Sequence, residues 1–396
     1  MMSPTLSIVI PNYNHGTYLE QCIRSQMGSQ LSIEIIIVDD ASSDNSIDVI
    51  KSLQLDGLPI RFFKNKERLG VVPTMNRGIS ESKGEYIILR AADDLSEAST
   101  FSQAIELLES NREAGLSCGD LAYFLNSPED AAVETLSLSA SPAYLSPTQL
   151  HGMLGTSPIH SHTAIYRKSL LQRHGLFKSE HRFYSDWYTT LCLACSHGVC
   201  YQPKPTAYAR LCSTSYANAG SRNATDRATT LKVLTEDLSI LPEQLKTDIY
   251  HSRALDFFEI DPKNAFSFPF PPCPIPDDRF FLAGMGGTLY RKLKSLDKTR
   301  LTYPAYIYGA GAHTDILLKA WNALNLPKPT RIWVSSLENT RTSIQGIEVR
   351  KFGDAFDKIG TIIISSKSYE PEMLSTASTR FPNIPIITFW GSGDKT

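Results

Sequence analysis

The sequence predicts an α/β protein with a mostly parallel, Rossmann-like sheet in its N-terminal half and a second, smaller α/β domain at its C-terminus. In the first ~115 residues, short apolar runs alternate with stretches of helical periodicity, as they do in βαβ units. These runs are apolar almost throughout, which is typical of parallel strands that are covered by helices on both faces.

The predicted elements follow one another at short intervals along this half. Each strand is rich in β-branched or aromatic residues, and each helix carries apolar residues three or four positions apart. The predicted strands are Leu6–Ile10, Ile33–Val38, Ile60–Lys64, Tyr86–Leu89 and Leu116–Phe124, and the predicted helices are Tyr18–Met27, 46–53, 72–82 and 100–111.

Length and composition indicate a globular protein of two or three domains. The chain has 396 residues, and its formal net charge of −2 gives no sign of a nucleic-acid partner, which usually requires a basic surplus. The chain contains no apolar run long enough to span a membrane, and it begins with a strand pattern instead of a signal peptide, so we expect a cytoplasmic protein. The seven cysteines fit reduced thiols better than a disulfide framework. Cys192 and Cys195 lie in an apolar helical stretch, which favours buried side chains over zinc ligands.

We expect three regions, with boundaries at 1–215, 216–300 and 301–396. The middle region is predicted to be a connector, helical at first and then rich in proline over 266–276, where helix is forbidden. The last region resembles half of a Rossmann unit, but Thr314 occupies the third glycine position of the dinucleotide fingerprint. We therefore expect this region to serve interaction, including oligomer formation, more than nucleotide binding.

Polar clusters follow three of the predicted strands: 12–15, 39–44 and Asp93-Asp94. The carboxyl ends of parallel strands meet at one edge of a sheet, where ligands bind, so these clusters indicate a nucleotide site. No glycine-rich phosphate loop is present in this half, which favours phosphate recognition through a metal held by the acids. Taken alone, the two acids are equally typical of a cap for a helix that begins near Ser96.

The order and spacing of five motifs resemble those of the family 2 glycosyltransferases. These motifs are Ile8–Asn14, Val38–Asp44, Arg68–Gly70, Asn76–Ile79 and Ala92–Asp94. The resemblance covers about the first 210 residues and implies the GT-A fold, a nucleotide-diphosphate sugar as donor, and transfer with inversion at the anomeric carbon.

The resemblance also implies roles for individual residues. It places Asp94 on a Mn²⁺ or Mg²⁺ ion that holds the diphosphate, Asp93 on the ribose side, and Asp39 or Asp40 near the nucleobase and ribose. Many relatives carry a further acid at the position that Ala91 occupies here. The donor-binding residues that it implies are Pro11, Asn12, Tyr13, Asn14, Asp39, Asp40, Arg68, Asn76 and Asp93.

Asp186 is the candidate general base. An inverting transfer needs a group that takes the proton of the attacking hydroxyl, and the family places an acid at the start of a helix for this purpose. Asp186 matches that position, although an acid in the first helical turn is also favoured by the helix dipole alone. His160 and His162 lie in the motif before this helix, which we expect to be a strand, so they would face the same way. They would contact acceptor hydroxyls or phosphate, or serve a structural role.

The sequence therefore predicts a metal-dependent inverting glycosyltransferase that uses a UDP- or GDP-type sugar in polysaccharide or glycolipid synthesis. The acceptor would be a saccharide or a lipid-linked molecule, and the basic residues Arg291, Lys292 and Lys294 could contact a membrane surface. One alternative is a nucleotidyltransferase, but residues 11–15 contain neither glycine nor a basic phosphate-binding side chain. Another alternative is a non-catalytic nucleotide-sugar-binding scaffold, against which the intact Asp94 and Asp186 argue.

Overall fold

The structure is a computed structural model of the chain. The chain folds as two compact units. One comprises 1–131 with 135–275, and the other comprises 132–134 with 276–396. The structure describes residues 4–125, 127–155, 157–211, 224–257, 260, 293, 301–309, 314, 317, 318, 321, 326–335, 342–352, 354, 359–365 and 370–388.

The five strands predicted in the N-terminal half are all present, and the described residues up to Arg210 form further strands beside them. Up to Arg210 the strands are β1 (Leu6–Asn12), β2 (Ile33–Asp39), β3 (Ile60–Lys64), β4 (Tyr86–Leu89), β5 (Leu95–Ser96), β6 (Leu116–Phe124), β7 (Ala132–Glu134), β8 (Ala143–Leu145), β9 (Ile165–Arg167) and β10 (Val199–Arg210). The main sheet has the order β3-β2-β1-β4-β9-β6-β10-β5. Strands β1 to β4 are parallel, whereas β9 runs antiparallel to β4 and β6.

Helices cover both faces of this sheet. Up to His197 they are α1 (Gly16–Ser25), α2 (Ser46–Leu55), α3 (Val71–Glu81), α4 (Phe101–Ser110), α5 (Lys168–His174) and α6 (Ser185–His197). Ile8 and Ile10 of β1 pack in one buried cluster with α1, α2 and α4, while Val9 packs in the other with α3, α5 and α6. Alternate side chains of a strand point to opposite faces, so an apolar strand supplies both layers. The predicted α/β class with a mostly parallel sheet is confirmed.

Three further helices of the first unit lie among the described residues: α7 (Ala224–Ser239), α8 (Glu243–Ser252) and α9 (Ala254–Phe257). Leu234, Leu238 and Ile249 are completely buried in the same cluster as Val9. Part of the region predicted as a connector therefore packs against the first sheet, while the boundaries at 215 and 300 stay predictions. The predicted proline-rich segment and the basic residues Arg291, Lys292 and Lys294 lie outside the described residues.

The second unit contains its own sheet. Its described elements are β11 (Ala305–Tyr308), β12 (Arg331–Val334), β13 (Ser343–Ile344), β14 (Ile347–Lys351), β15 (Thr361–Ile364), α10 (Glu370–Arg380) and β16 (Ile386–Ile387). The strand order is β13-β14-β12-β11-β15-β16, and all neighbours except β13 and β14 are parallel. Order and direction are those of a Rossmann-like sheet, with the chain reversing its progression between β11 and β15.

The structure corrects two local expectations. No helix begins at Ser96, because Leu95–Ser96 pairs with β10 as a short strand; one turn of 3₁₀ helix follows at Ala98–Thr100, and α4 begins at Phe101. Residues 160–164 are not a strand either, since Ser161–Thr163 forms one turn of 3₁₀ helix before β9. Within the described ranges, no helix combines the length and the apolar character that a membrane span requires.

Candidate active site

The acid pair lies just beyond the carboxyl end of β4, next to β1 in the sheet. Asp93 is 9% and Asp94 4% exposed. One carboxylate oxygen of Asp94, Oδ2, lies 3.0 Å from Nε2 of His162, and the other accepts a hydrogen bond of 2.8 Å from the backbone N–H of Arg210. The alternative role of a cap for a helix at Ser96 is therefore wrong, and both oxygens of Asp94 are directed at strand and turn residues instead.

The electrostatics of the pair suit a divalent cation. Burial, followed by the negative charge of Asp94, raises the pKa of Asp93, because two neighbouring carboxylates in a desolvated place repel each other when ionised. A cation bound between them and a diphosphate would remove that repulsion. Among the residues that the structure describes, no group of three or more acidic, histidine or cysteine side chains could hold a metal. One or two carboxylates with phosphate and water oxygens are nevertheless a common ligand set for Mg²⁺.

Arg210, at the end of β10, contacts both residues of the acid pair. Its guanidinium donates to the backbone oxygen of Asp93 at 3.1 Å and to Oε1 of Gln21 at 2.7 Å. The guanidinium carbon also lies 4.7 Å from the ring centre of Tyr18 and 4.5 Å from that of Phe124. Cation–π and hydrogen-bond contacts on all sides fix the side chain. A positive charge is thereby held beside the two acids.

The ends of β1 and β2 form one polar cluster. Asn12 and Asp39 are paired across the parallel strands, and Nδ2 of Asn12 donates to Oδ1 of Asp39 at 2.8 Å. The backbone N–H of Ser42 donates to the second oxygen of Asp39 at 3.0 Å. Oδ1 of Asn14 accepts hydrogen bonds from the backbone N–H groups of Ser43 and Asp44, and the backbone of Asn14 is left-handed. Pro11, Asn12, Asn14 and Asp39 are thus brought together, as the sequence predicts.

Half-buried Tyr13 and exposed Arg68 form a cation–π pair beside this cluster. The guanidinium carbon of Arg68 lies 4.0 Å from the ring centre of Tyr13. Asp40 holds the loop that carries Arg68, because its two carboxylate oxygens accept hydrogen bonds from the backbone N–H groups of Leu69 and Gly70, each at 2.8 Å. The structure therefore gives Asp40 a role in shaping the loop, and its contact with a nucleotide stays a prediction.

Asn76 lies on α3, and its side-chain amide is used by the loop after α5. Nδ2 donates to the carbonyl oxygen of Phe177 at 2.7 Å, and Oδ1 accepts from the backbone N–H of the same residue at 3.2 Å. This double hydrogen bond joins α3 to the loop after α5. A direct contact between Asn76 and the donor stays a prediction.

Asp186 occupies the first turn of α6 and is half-buried. Its Oδ1 accepts a hydrogen bond of 2.8 Å from the backbone N–H of Trp187, and its Oδ2 accepts one of 2.5 Å from the hydroxyl of Ser161. The neighbouring His162 contacts Asp94. Burial disfavours a protonated imidazole at His162, but the carboxylates of Asp94 and Asp186 outweigh it and raise the pKa of His162. One 3₁₀ turn therefore contacts both the acid pair and the candidate base.

Sequence reasoning missed the contact between Ser161 and Asp186 and left the role of Arg210 open. The sequence singled out His162, but as a strand residue with an undefined partner. Ser161 and Asp186 are 25 positions apart, and a lone serine carries no recognisable pattern. Only the packing of the turn against the start of α6 reveals the pair. The described cysteines Cys192, Cys195 and Cys200 are buried and free, and burial raises the pKa of Cys192 to about 12, which fits side chains of the core.

The fold is shared with known sugar-nucleotide-binding structures. Residues 1–349 of S. aureus TarS, solved in complex with UDP-GlcNAc, superpose with a TM-score of 0.52 and 14% identity, covering 75% of this chain and 85% of that chain. The predicted GT-A class is confirmed by this likeness. Residues 7–175 match Glycosyl transferase family 2. This region is therefore a domain of that family, as its motifs predicted.

Two curated relatives match part of this chain. The glycosyltransferase GlyG of Streptococcus pneumoniae is 37% identical over 95 residues, which are 24% of this chain and 32% of that protein. The GalNAc(5)-diNAcBac-PP-undecaprenol beta-1,3-glucosyltransferase of Campylobacter jejuni is 33% identical over 93 residues, or 23% of this chain and 30% of that protein. The alignments thus span about a third of the length of each relative.

Proposed function

We propose that the protein is a metal-dependent, inverting glycosyltransferase that moves a sugar from a nucleotide diphosphate to an acceptor hydroxyl. The observation that carries the proposal is the single turn at Ser161–Thr163, which contacts Asp94 on one side and Asp186 on the other. An acid pair for the diphosphate and a separate carboxylate for the acceptor are the two parts that such a reaction requires. Membership of residues 7–175 in the family supports the same reading.

The donor site lies along the carboxyl ends of β1, β2 and β4. The nucleobase and ribose would bind against the polar cluster that Asn12 and Asp39 hold together, and the Tyr13–Arg68 pair lies beside it. Asp93 follows β4, which pairs with β1 in the same sheet. TarS, which shares the fold, was solved with UDP-GlcNAc. A UDP- or GDP-type sugar is the donor that we propose.

Asp94 is the residue that would hold Mn²⁺ or Mg²⁺, with Asp93 beside it. When bound, the ion supplies positive charge to the departing diphosphate. Arg210 already holds a fixed positive charge beside the same acids, and a guanidinium suits phosphate oxygens. This side chain would therefore orient the diphosphate and stabilise the charge that develops on it.

Asp186 would act as the general base. As the acceptor oxygen attacks the anomeric carbon, its proton passes to a carboxylate oxygen of Asp186, and the bond between sugar and diphosphate breaks on the opposite face. A carboxylate oxygen has more than one lone pair. Each oxygen of Asp186 can thus keep its present hydrogen bond and still accept a proton from the acceptor.

The acceptor that we propose is a saccharide or a lipid-linked glycan in polysaccharide or glycolipid synthesis. The Campylobacter relative is named for a glycan on undecaprenyl diphosphate, which supports the lipid-linked option. Work on such an acceptor would bring the protein to the cytoplasmic surface of a membrane. We propose an interaction role, including contact between copies of the chain, for the C-terminal unit.

Isothermal titration calorimetry tests the donor site. We expect UDP or GDP to bind the wild-type protein at least ~10-fold more tightly with Mn²⁺ than with EDTA, because charged phosphates need the cation. The variant Asp94→Asn should lose that difference, whereas Asp48→Asn, an exposed acid on α2, should keep it. Absent binding, or binding that ignores Mn²⁺ in both proteins, would contradict the proposal.

A further inference from the structure

The turn Ser161–Thr163 is built so that the Ser161 hydroxyl is not needed for its own fold. The backbone N–H of Thr163 donates to the carbonyl oxygen of His160 at 3.0 Å, and the backbone N–H of Ala164 donates to the carbonyl oxygen of Ser161 at 3.1 Å. The hydroxyl of Thr163 also donates to the His160 carbonyl, at 2.9 Å. These bonds close the turn within itself. The side chain of Ser161, which is 7% exposed, is thus available for a partner elsewhere.

That partner is the carboxylate of Asp186. The Ser161 hydroxyl donates to Oδ2 at 2.5 Å, and the Trp187 backbone N–H occupies Oδ1 at 2.8 Å. The backbone of Asp186 is fixed as well, because its carbonyl accepts from Thr190, whose hydroxyl lies 2.7 Å from the hydroxyl of Tyr166. Side-chain torsions are the remaining freedom of the carboxylate. A donor on each oxygen removes that freedom.

We propose that Ser161 is a positioning residue, which holds the Asp186 carboxylate in the orientation that takes the proton of the acceptor. This inference rests on the proposed function, since it assigns Asp186 the role of base. Ser161 does not touch the reacting atoms. It acts through Asp186. Because Ser161 lies in the same turn as His162, which contacts Asp94, this turn connects the base to the acid pair.

The hydrogen bond from Ser161 matters for the geometry of the reaction. A general base must lie within hydrogen-bond reach of the proton that it takes, and small misplacements cost large factors in rate. An acid in the first turn of a helix is otherwise free to rotate toward solvent or toward other backbone N–H groups. With Ser161 in place, one rotamer is held before the acceptor arrives. Donor binding occurs at the other end of the turn and does not need this hydrogen bond.

Steady-state kinetics of three single variants tests the proposal. The assay measures the release of UDP or GDP, with Mn²⁺ present, from whichever of UDP-glucose, UDP-GlcNAc, UDP-galactose and GDP-mannose the wild-type protein turns over fastest. We expect Ser161→Ala to lower kcat about tenfold with donor KM within about twofold of wild type, as loss of orientation without loss of binding predicts. Ser161→Thr keeps the hydroxyl and should restore most of kcat. Ser117→Ala removes another buried serine hydroxyl, on β6, which has no hydrogen-bond partner, and should match wild type.

A double variant separates positioning from a general structural effect. In the Asp186→Asn background, Ser161→Ala should cause no further loss of kcat, because the residue through which it acts is already disabled. Wild-type kcat in Ser161→Ala, or an equal further loss in the double variant, would overturn the proposal while leaving the glycosyltransferase proposal intact. Absence of turnover in the wild-type protein itself with every donor would overturn both.

Discussion

We propose that three side chains carry the chemistry at the residue scale: Asp94, Asp186 and Arg210. Two are acids in which each carboxylate oxygen already contacts one protein group, and the third is a cation held over aromatic rings. Each is fixed before any ligand binds. Preorganised charge of this kind is what electrostatic catalysis requires, because the protein need not reorganise during the reaction.

Replacement of the base provides the clearest test at a single residue. Asp186→Asn keeps the size of the side chain and its ability to accept from Ser161, but removes the proton acceptor. We expect turnover of the nucleotide sugar to fall at least ~100-fold, as for other general bases. Calorimetry should find the Mn²⁺-dependent affinity for UDP or GDP unchanged. Equal turnover in variant and wild type would remove Asp186 from the mechanism.

The sequence reveals the acids but not their partners. Asp94 and Asp186 belong to local motifs, so a reader of the sequence can place them at a strand end and a helix start. Ser161 and the Arg210 backbone reach them from positions 25 and 116 residues away. Such contacts depend on how separate elements pack, and no local pattern encodes that packing.

At the scale of elements, the loop between β3 and α3 is held by one carboxylate. Asp40 accepts from the backbone of Leu69 and Gly70 and from Nδ2 of Asn65, the last at 2.7 Å. Burial works against the ionised form, but these donors together hold the pKa of Asp40 below its ordinary value. A carboxyl with a depressed pKa in the folded state stabilises the fold at pH values above its unfolded pKa. That contribution is lost as the pH falls through the folded pKa.

Asp40→Asn should therefore lower the free energy of unfolding by about 2 kcal/mol at pH 7, since hydrogen bonds to a charged group are lost. The deficit should shrink as the pH falls below the unfolded value of 3.8. Urea unfolding at a series of pH values measures it. Asp48→Asn, an exposed acid on α2, serves as the control and should stay within about 0.5 kcal/mol of wild type. A constant difference at all pH values would refute this account of the loop.

Elements with strong periodicity were predictable, and short ones were not. The bounds of β3, β4 and β6 agree with the sequence prediction residue for residue. Leu95–Ser96 has only two residues, and it pairs with β10, which is distant in sequence. Tertiary packing therefore decides the structure here, against the helix start that local sequence suggested. The prediction of a strand over Ser161–Thr163 was wrong for a related reason, because histidines at alternate positions imitate the two-residue period of a strand.

At the scale of the whole molecule, the chain combines two α/β sheets of different kinds. The first carries polar residues at the carboxyl ends of β1, β2 and β4, and the family match covers these strands. Buried side chains of α7 and α8 complete the core of that unit. The second has Rossmann-like order, with Ser365 and Thr314 hydrogen-bonded at 2.6 Å beside the end of β11. The sequence predicted an α/β fold in both regions, because several strands of each are apolar runs.

In the proposed mechanism, Asp94 and a divalent cation present a nucleotide sugar to Asp186. The most direct measurement is UDP or GDP release from the four nucleotide sugars named above, with Mn²⁺ and with EDTA, for wild type and Asp94→Asn. We predict that wild type turns over at least one donor with Mn²⁺, and that EDTA or Asp94→Asn lowers that rate at least ~100-fold. No release from any donor, or release that neither EDTA nor Asp94→Asn affects, would contradict the claim.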